Sequence, residues 1–286
     1  MVARASSRRG RRPSLRLLGP LGVAALFLGL DCLPADTRPE PSTVHVTAVA
    51  SDETANGFTT ADGWSISFER FVTALGDVRL DDPEGSDGVC NAYYETHYEW
   101  LFDFTKTGRE KVGVVYGLGT CSISYRFRGP DTDAVLGAGA TSDDLATMSV
   151  EASDAYADEA RTTLVVRGTA TRRDRRETFE WRFRRSYRVD QCPSATREHF
   201  ASVLDLESGD THDLGIAVRG QELFRLGLTD DAPLQFDLYA AADIDADGTV
   251  TLDELAAAEA PEGLRSGGVG GGGAAGGGGI GGAAGG

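Results

Sequence analysis

The chain has 286 residues, with 44 Asp and Glu against 28 Lys and Arg, a formal charge of −16 and a pI near 4.6. So acidic a protein lacks the basic face that phosphate contacts require, which argues against nucleic acid as a partner and suits a protein that meets divalent cations. Its four cysteines include no C-x-x-C pair, so no zinc ribbon or thioredoxin-type site is readable.

Residues 1–32 read as an export signal, with six arginines from Arg4 to Arg16 placed before and at the edge of an apolar run over residues 17–30. That run covers 14 residues and is interrupted by Pro20, whereas a membrane-spanning helix needs roughly 20. The Ser7-Arg8-Arg9 triplet lacks the hydrophobic residue a twin-arginine signal places two positions later, so general secretion is the expected route. Cys32 falls where a lipoprotein cysteine would fall, with Asp31 before it as the objection. An A-x-A-like cleavage near Ala35 meets Leu33 and Pro34 instead. A lipid anchor through Cys32 and free secretion both stay open, and either places the protein outside the cytoplasm, as a periplasmic, cell-surface or secreted protein. Loss of residues 1–32, which hold six arginines and one aspartate, leaves a formal charge of −21. Residues 33–42, with Pro34, Pro39 and Pro41, form a linker.

Residues 43–219 are strand-rich. Val44, Val46 and Ala48 alternate with Thr43, His45 and Thr47, and Trp64, Ile66 and Phe68 repeat the pattern before a further segment over residues 71–80. Between residues 93 and 104 the aromatics Tyr94, Tyr98, Trp100, Phe102 and Phe104 alternate with Glu95, His97, Glu99 and Asp103. Cys121, Ile123, Tyr125 and Phe127 stand against Ser122, Ser124, Arg126 and Arg128. Later runs cover residues 162–169, 179–189, 200–206 and 214–218. Period-two alternation with one apolar face marks half-buried antiparallel strands. About nine of them, separated by Gly-rich and Asp-rich turns, predict a mainly β fold, an antiparallel β-sandwich-like domain. One helix is expected inside it over residues 143–155. Cys90 and Cys121 each stand beside a predicted strand and are the first choice for a disulfide.

From Gln221 the texture turns helical through residue 262. Leu234, Leu238, Ala241 and Ala242 have the spacing of one helix face, with Asp231 and Pro233 at its start. A second helix is expected over residues 252–260, ending at Pro261. Residues 263–286 are almost wholly Gly and Ala and read as a disordered tail.

Between those two helices lies the segment Asp243-Ile-Asp245-Ala-Asp247-Gly248-Thr249-Val250-Thr251-Leu-Asp253-Glu254, which resembles the EF-hand calcium loop at its defining positions. Calcium takes six to eight hard oxygen ligands at about 2.3–2.6 Å, and alternate residues of a folded-back chain can supply them. The resemblance implies Ca2+ as cofactor, with Asp243, Asp245 and Asp247 as side-chain ligands and Thr249 binding through its carbonyl. Thr251 would act directly or through water, and Glu254 would clamp with both oxygens. Gly248 supplies a positive φ and Val250 points into a core. EF-hands normally pair across the position of Val250, and no second loop has the spacing. A solitary hand is therefore expected to pack on the β domain as a structural clip, at the roughly 10⁻⁴–10⁻³ M affinity of extracellular modules.

Other constellations point less far. His45, His97, His199 and His212 are scattered, with Glu95, His97 and Glu99 the one polar patch a metal could use. Tyr94, Tyr98 and Trp100 fit core packing better than a ligand groove, and Arg172, Arg173, Arg175 and Arg176 read as a solvated hairpin tip. No nucleophile, base or zinc signature is present, so no catalytic residue is assigned and the chain is not read as an enzyme. The Gly63-Trp64-x-Ile66-x-Phe68 stretch, together with a signal and a late acidic loop, resembles uncharacterised exported bacterial lipoproteins and, more loosely, the methanobactin-associated periplasmic copper-protein family. The first resemblance implies a binding or structural protein whose β domain holds an extracytoplasmic ligand or protein. The second implies a periplasmic metal-handling protein, and a hydrolase working with carboxylates is the third reading.

Overall fold

A computed structural model describes residues 38–93, 98–106, 108–152, 160–190, 203–227, 229, 231–258 and, as backbone, 283–285. The chain divides at Pro39, and every element below belongs to the unit Glu40–Gly286. In order these are β1 (Ser42–Ala50), α1 (Asp52–Asn56), β2 (Phe58–Thr59), β3 (Ser65–Asp81), β4 (Cys90–Ala92), β5 (Glu99–Asp103), β6 (Glu110–Phe127) and β7 (Val135–Leu136). They continue as α2 (Ser142–Met148), β8 (Leu164–Arg172), β9 (Arg175–Phe183), β10 (Tyr187–Val189), β11 (Val203–Leu206) and β12 (Thr211–Val218). A 3₁₀ turn (Gly220–Phe224), α3 (Asp237–Ala240), β13 (Thr249–Thr251), α4 (Leu252–Ala257) and β14 (Ala283–Gly285) complete the set. No described helix is long and apolar enough to cross a membrane.

The fold is mainly β, but the strands form one mixed sheet and not two antiparallel ones. Its path runs β13-β9-β8-β3-β6-β1-β12-β14, with the shorter strands attached along β3 and β6. Three pairs are parallel: β1 with β12, β5 with β7, and β9 with β13. The two long strands change partners along their length. Residues 65–73 of β3 pair with β8, and residues 75–81 pair with β6. Register shifts at Phe68/Arg70 and Gly76/Arg79 mark where the strand bends, as bulges do. Asp77 takes a positive φ of 51° inside the second shift, and Arg79 and Arg126 hold its carboxylate at 2.7 and 3.2 Å.

Burial follows the phase of each strand. Residues 65–69 of β3 alternate between exposed and buried, whereas residues 71–78 are buried without a break. There the second face is covered: Val72, Ala74 and Leu101 pack with Met148 of α2, while Phe71 and Leu75 face the main core. Helix α2 covers the first part of the helix expected over residues 143–155, capped by reciprocal bonds between Thr141 and Asp144; residues 153–159 lie outside the described residues. Asp103 departs from its expected place on a polar face. It is fully buried, takes N–H bonds from Phe71 and Thr105, and pairs with Arg70 at 2.9 Å. Tyr98 is exposed, whereas Trp100, Phe102 and Phe104 join the core. Tyr94, Glu95, His97, His199, Cys32 and Cys192 lie outside the described residues. Cys90 and Cys121 are bonded, with S–S 2.08 Å.

The helical segment expected over residues 220–262 is the largest correction. It contains a 3₁₀ turn, the four-residue α3 and the six-residue α4, with irregular chain and the short strand β13 between them. The helix expected from Asp231 is displaced because its backbone groups are engaged elsewhere. Leu226 N–H donates to Pro233 O at 3.0 Å, Gln235 N–H to Phe224 O at 2.9 Å, and Ala61 N–H to Leu234 O at 2.8 Å. Only when Asp62 accepts from the N–H groups of Phe236 and Asp237, at 2.8 and 2.7 Å, does one helical turn begin. Phe224, Phe236, Ala240, Ala242 and Val250 belong to the same core as the sheet, so this segment is part of the β domain and not an appendage.

Candidate metal centre

The loop of residues 243–254 is held at both ends by the β domain. At its entry, α3 is clamped by Trp64, just before β3, and by Arg172 of β8 and Arg175 of β9. Trp64 Nε1 donates to Asp237 Oδ1 at 2.9 Å, Arg172 pairs with the same carboxylate at 2.8 Å, and Arg175 donates to Ala240 O at 2.9 Å. Both guanidiniums lie over the Trp64 ring, at 4.7 and 5.5 Å from its centre. The β8–β9 hairpin tip thus forms where the sequence predicts it, and Arg172 and Arg175 stay partly exposed while lying over the tryptophan ring.

Asp237 gives this clamp a pH dependence. The Trp64 indole, followed by Arg172, holds its carboxyl below the ordinary aspartate range. A carboxyl depressed in the folded state contributes stability above its unfolded pKa and loses it as the pH falls through the folded one. Replacing Asp237 by Asn should therefore lower stability at pH 6 by no more than about 1 kcal/mol, since the pair is half-exposed and screened. The same variant should lose less stability than the parent between pH 6 and pH 3. Urea midpoints at the two pH values measure both, and parallel losses in parent and variant would count against the assignment.

At its exit, Thr249–Thr251 forms β13, paired in parallel with residues 178–180 of β9. Val250 is fully buried, and Trp181 Nε1 donates to its carbonyl at 3.0 Å. α4 follows directly, with Thr251 and Glu254 in a capping box.

Between these anchors the aspartates turn inward. One oxygen each from Asp243, Asp245 and Asp247 lies within 4.8 Å of the others. Ligands of one calcium ion can be at most about 5 Å apart, twice the metal–oxygen distance, so these three fit a single ion. Backbone N–H groups orient them: Asp247 N–H donates to Asp243 and to Asp245 at 3.2 Å, Gly248 N–H to Asp243 at 3.1 Å, and Thr249 N–H to Asp247 at 2.7 Å. Gly248 at φ 80° gives the turn a conformation that a side chain would strain, and Ala246 at φ 57° takes the same region without that freedom.

Glu254 lies beside this group and is not one of the three. Its Oε1 accepts from Ile244 N–H at 3.3 Å, and its Oε2 takes the N–H and hydroxyl of Thr251, both at 2.8 Å. Those Thr251 bonds hold its carboxyl below the ordinary range. The Thr251 hydroxyl is committed to this cap, and Thr249 is tied to β9 through Thr178. Of the six residues predicted as ligands, then, three meet, Glu254 is next to them, and the threonines anchor the loop.

Among the described residues this is the one group of three His, Cys, Asp or Glu side chains that could share an ion, and His45 and His212 join no such group. Sequence reasoning missed Glu177 on β9, which is 3% exposed beside the loop. The signal was present: Glu177 falls in phase with Phe179 and Trp181, a charge where the alternation calls for an apolar residue. No family model, curated protein or solved structure matches the chain.

Proposed function

We propose that residues 243–254 form a single calcium-binding loop of EF-hand type, held on a β sheet in an exported protein, and that the ion braces the edge of that domain. The observation that carries this reading is the convergence of Asp243, Asp245 and Asp247 on one point with oxygen-only donors. Glu254 would join them, Thr249 would offer its carbonyl, and Thr251 would hold Glu254 in place. Calcium there supplies a positive charge between acidic groups and ties entry to exit. Export is supported by the arginine-led apolar signal, with periplasmic, cell-surface or secreted placement and the lipid anchor at Cys32 as its forms. The Cys90–Cys121 bond is of a kind that persists in oxidising compartments.

With calcium at tenfold its dissociation constant, the stabilisation should be about 1.4 kcal/mol, or roughly 2–6 °C in melting temperature for a domain of this size. Thermal melts of the full-length protein with and without millimolar CaCl2 measure it, and Asp243→Ala with Glu254→Ala should abolish the shift. Terbium gives a second readout, because Trp181 is hydrogen-bonded to the loop and can sensitise its emission. Coincident melts of the parent protein with and without calcium would sink the proposal.

A further inference from the structure

Next to the aspartate loop lies one carboxylate oxygen whose environment the fold leaves incomplete. Glu177 Oε1 accepts from Arg175 Nε at 2.6 Å. Its Oε2 is shielded from solvent and takes no hydrogen bond. A buried carboxylate oxygen of this kind carries a desolvation cost unless a donor or a cation meets it. Glu177 Oε2 stands 4.0 Å from the point where a side chain on Gly248 would begin, with Arg176 O at 3.8 Å from the same point. Gly248 also joins the aspartates to β9, since its N–H donates to Asp243 and its carbonyl accepts from Thr178 N–H at 2.8 Å. Strand β9 therefore sets a buried carboxylate oxygen that takes no hydrogen bond next to the turn that gathers the aspartates, with no side chain on Gly248 between them.

We infer that Glu177 is a cation-site residue from outside the loop, its Oε2 supporting the calcium site from the sheet across one water. This rests on the calcium reading above and changes its character. A loop that gathers its own ligands can be transplanted whole, whereas a site that borrows Glu177 is complete only when docked on β9. The Arg175–Glu177 pair then has two duties, since Arg175 also holds Ala240 O ahead of the loop.

Calorimetric titration of CaCl2 into the full-length protein, Glu177→Gln, Glu177→Met and Arg182→Gln tests this. Glu177→Gln keeps the size of the side chain and should weaken calcium binding about tenfold or more, the usual range for residues that support a metal site from outside its main ligands. Its calcium-free melting temperature should stay level or rise, because a partnerless charged oxygen is replaced by a neutral amide. Glu177→Met fills the same buried space with no polar atom and should weaken binding as Glu177→Gln does, so it reads the result alone if Glu177→Gln does not fold; Arg182→Gln, an exposed change on the same strand, should bind calcium as the parent does. Parent affinity in either folded Glu177 variant, or equal weakening in Arg182→Gln, would overturn the inference while leaving the calcium loop standing. Absence of calcium binding by the parent would overturn both.

Discussion

Replacing Phe224 by Ala should cost roughly 3–5 kcal/mol, the range for deleting a buried aromatic ring from a core that cannot collapse around the gap. Phe224 is 1% exposed, and its ring centre lies 5.4–6.1 Å from those of Phe58, Phe68, Phe179, Trp181, Phe236 and Tyr239. Phe58, Phe68, Phe179 and Trp181 sit on sheet strands, and Phe236 and Tyr239 lead into the acidic loop. The gap would be bounded by rings fixed on hydrogen-bonded strands, so little inward movement can fill it. The melting temperature should fall by roughly 6–20 °C at 2–4 °C per kcal/mol. A loss under about 1.5 kcal/mol in urea titrations would mean that the segment from Gly220 onward is not part of the cooperative core.

The second large effect is expected at the Cys90–Cys121 bond. Their sequence separation is 31 residues, for which the chain-entropy relation gives about 3–4 kcal/mol. The bond ties β4 to β6, and the turn before β4 is gathered by Asp82, whose carboxylate accepts from the N–H groups of Gly88, Val89 and Cys90 at 2.8–3.0 Å. That local order persists without the disulfide, so the reduced protein should fold but melt roughly 6–16 °C lower. Comparing Cys90→Ala with Cys121→Ala against the parent, in oxidising buffer and in reductant, measures it. A parent indifferent to reductant would contradict the assignment.

How far the fold could be read in advance depended on one condition, a strand with one wet face. β1, the start of β3, the end of β6, and β8, β9 and β12 satisfy it, and their alternation located them. The first half of β6, residues 110–119, escaped because Gly113, Gly117 and Gly119 break the apolar phase. β3 reads as two segments because the bulge at Phe68/Arg70 shifts the phase midway and α2 then covers the second face. The mixed direction of the sheet was not legible, since alternation is identical in parallel and antiparallel strands. In the candidate site, the aspartates and Gly248 were legible from spacing alone. The frame was not: helical spacing at Leu234, Leu238 and Ala241 lost to backbone bonds with Ala61 and Phe224. The short strand β13 lay hidden inside the loop reading.

One pairing governs the order of assembly. β1 lies between β6 and β12, and Thr47 stands opposite Gly215 in the parallel register. The residues of β12 lie far along the chain from those of β1, with Thr211 opposite Thr43, so this pairing closes a long loop and forms late. Until it forms, β1 can gain β6 but not its second neighbour. Its other edge stays a row of unpaired N–H and C=O groups open to a neighbouring copy. So late a long-range pairing makes folding slow relative to local structure. Concentration during refolding, more than stability of the finished sheet, should therefore decide the yield.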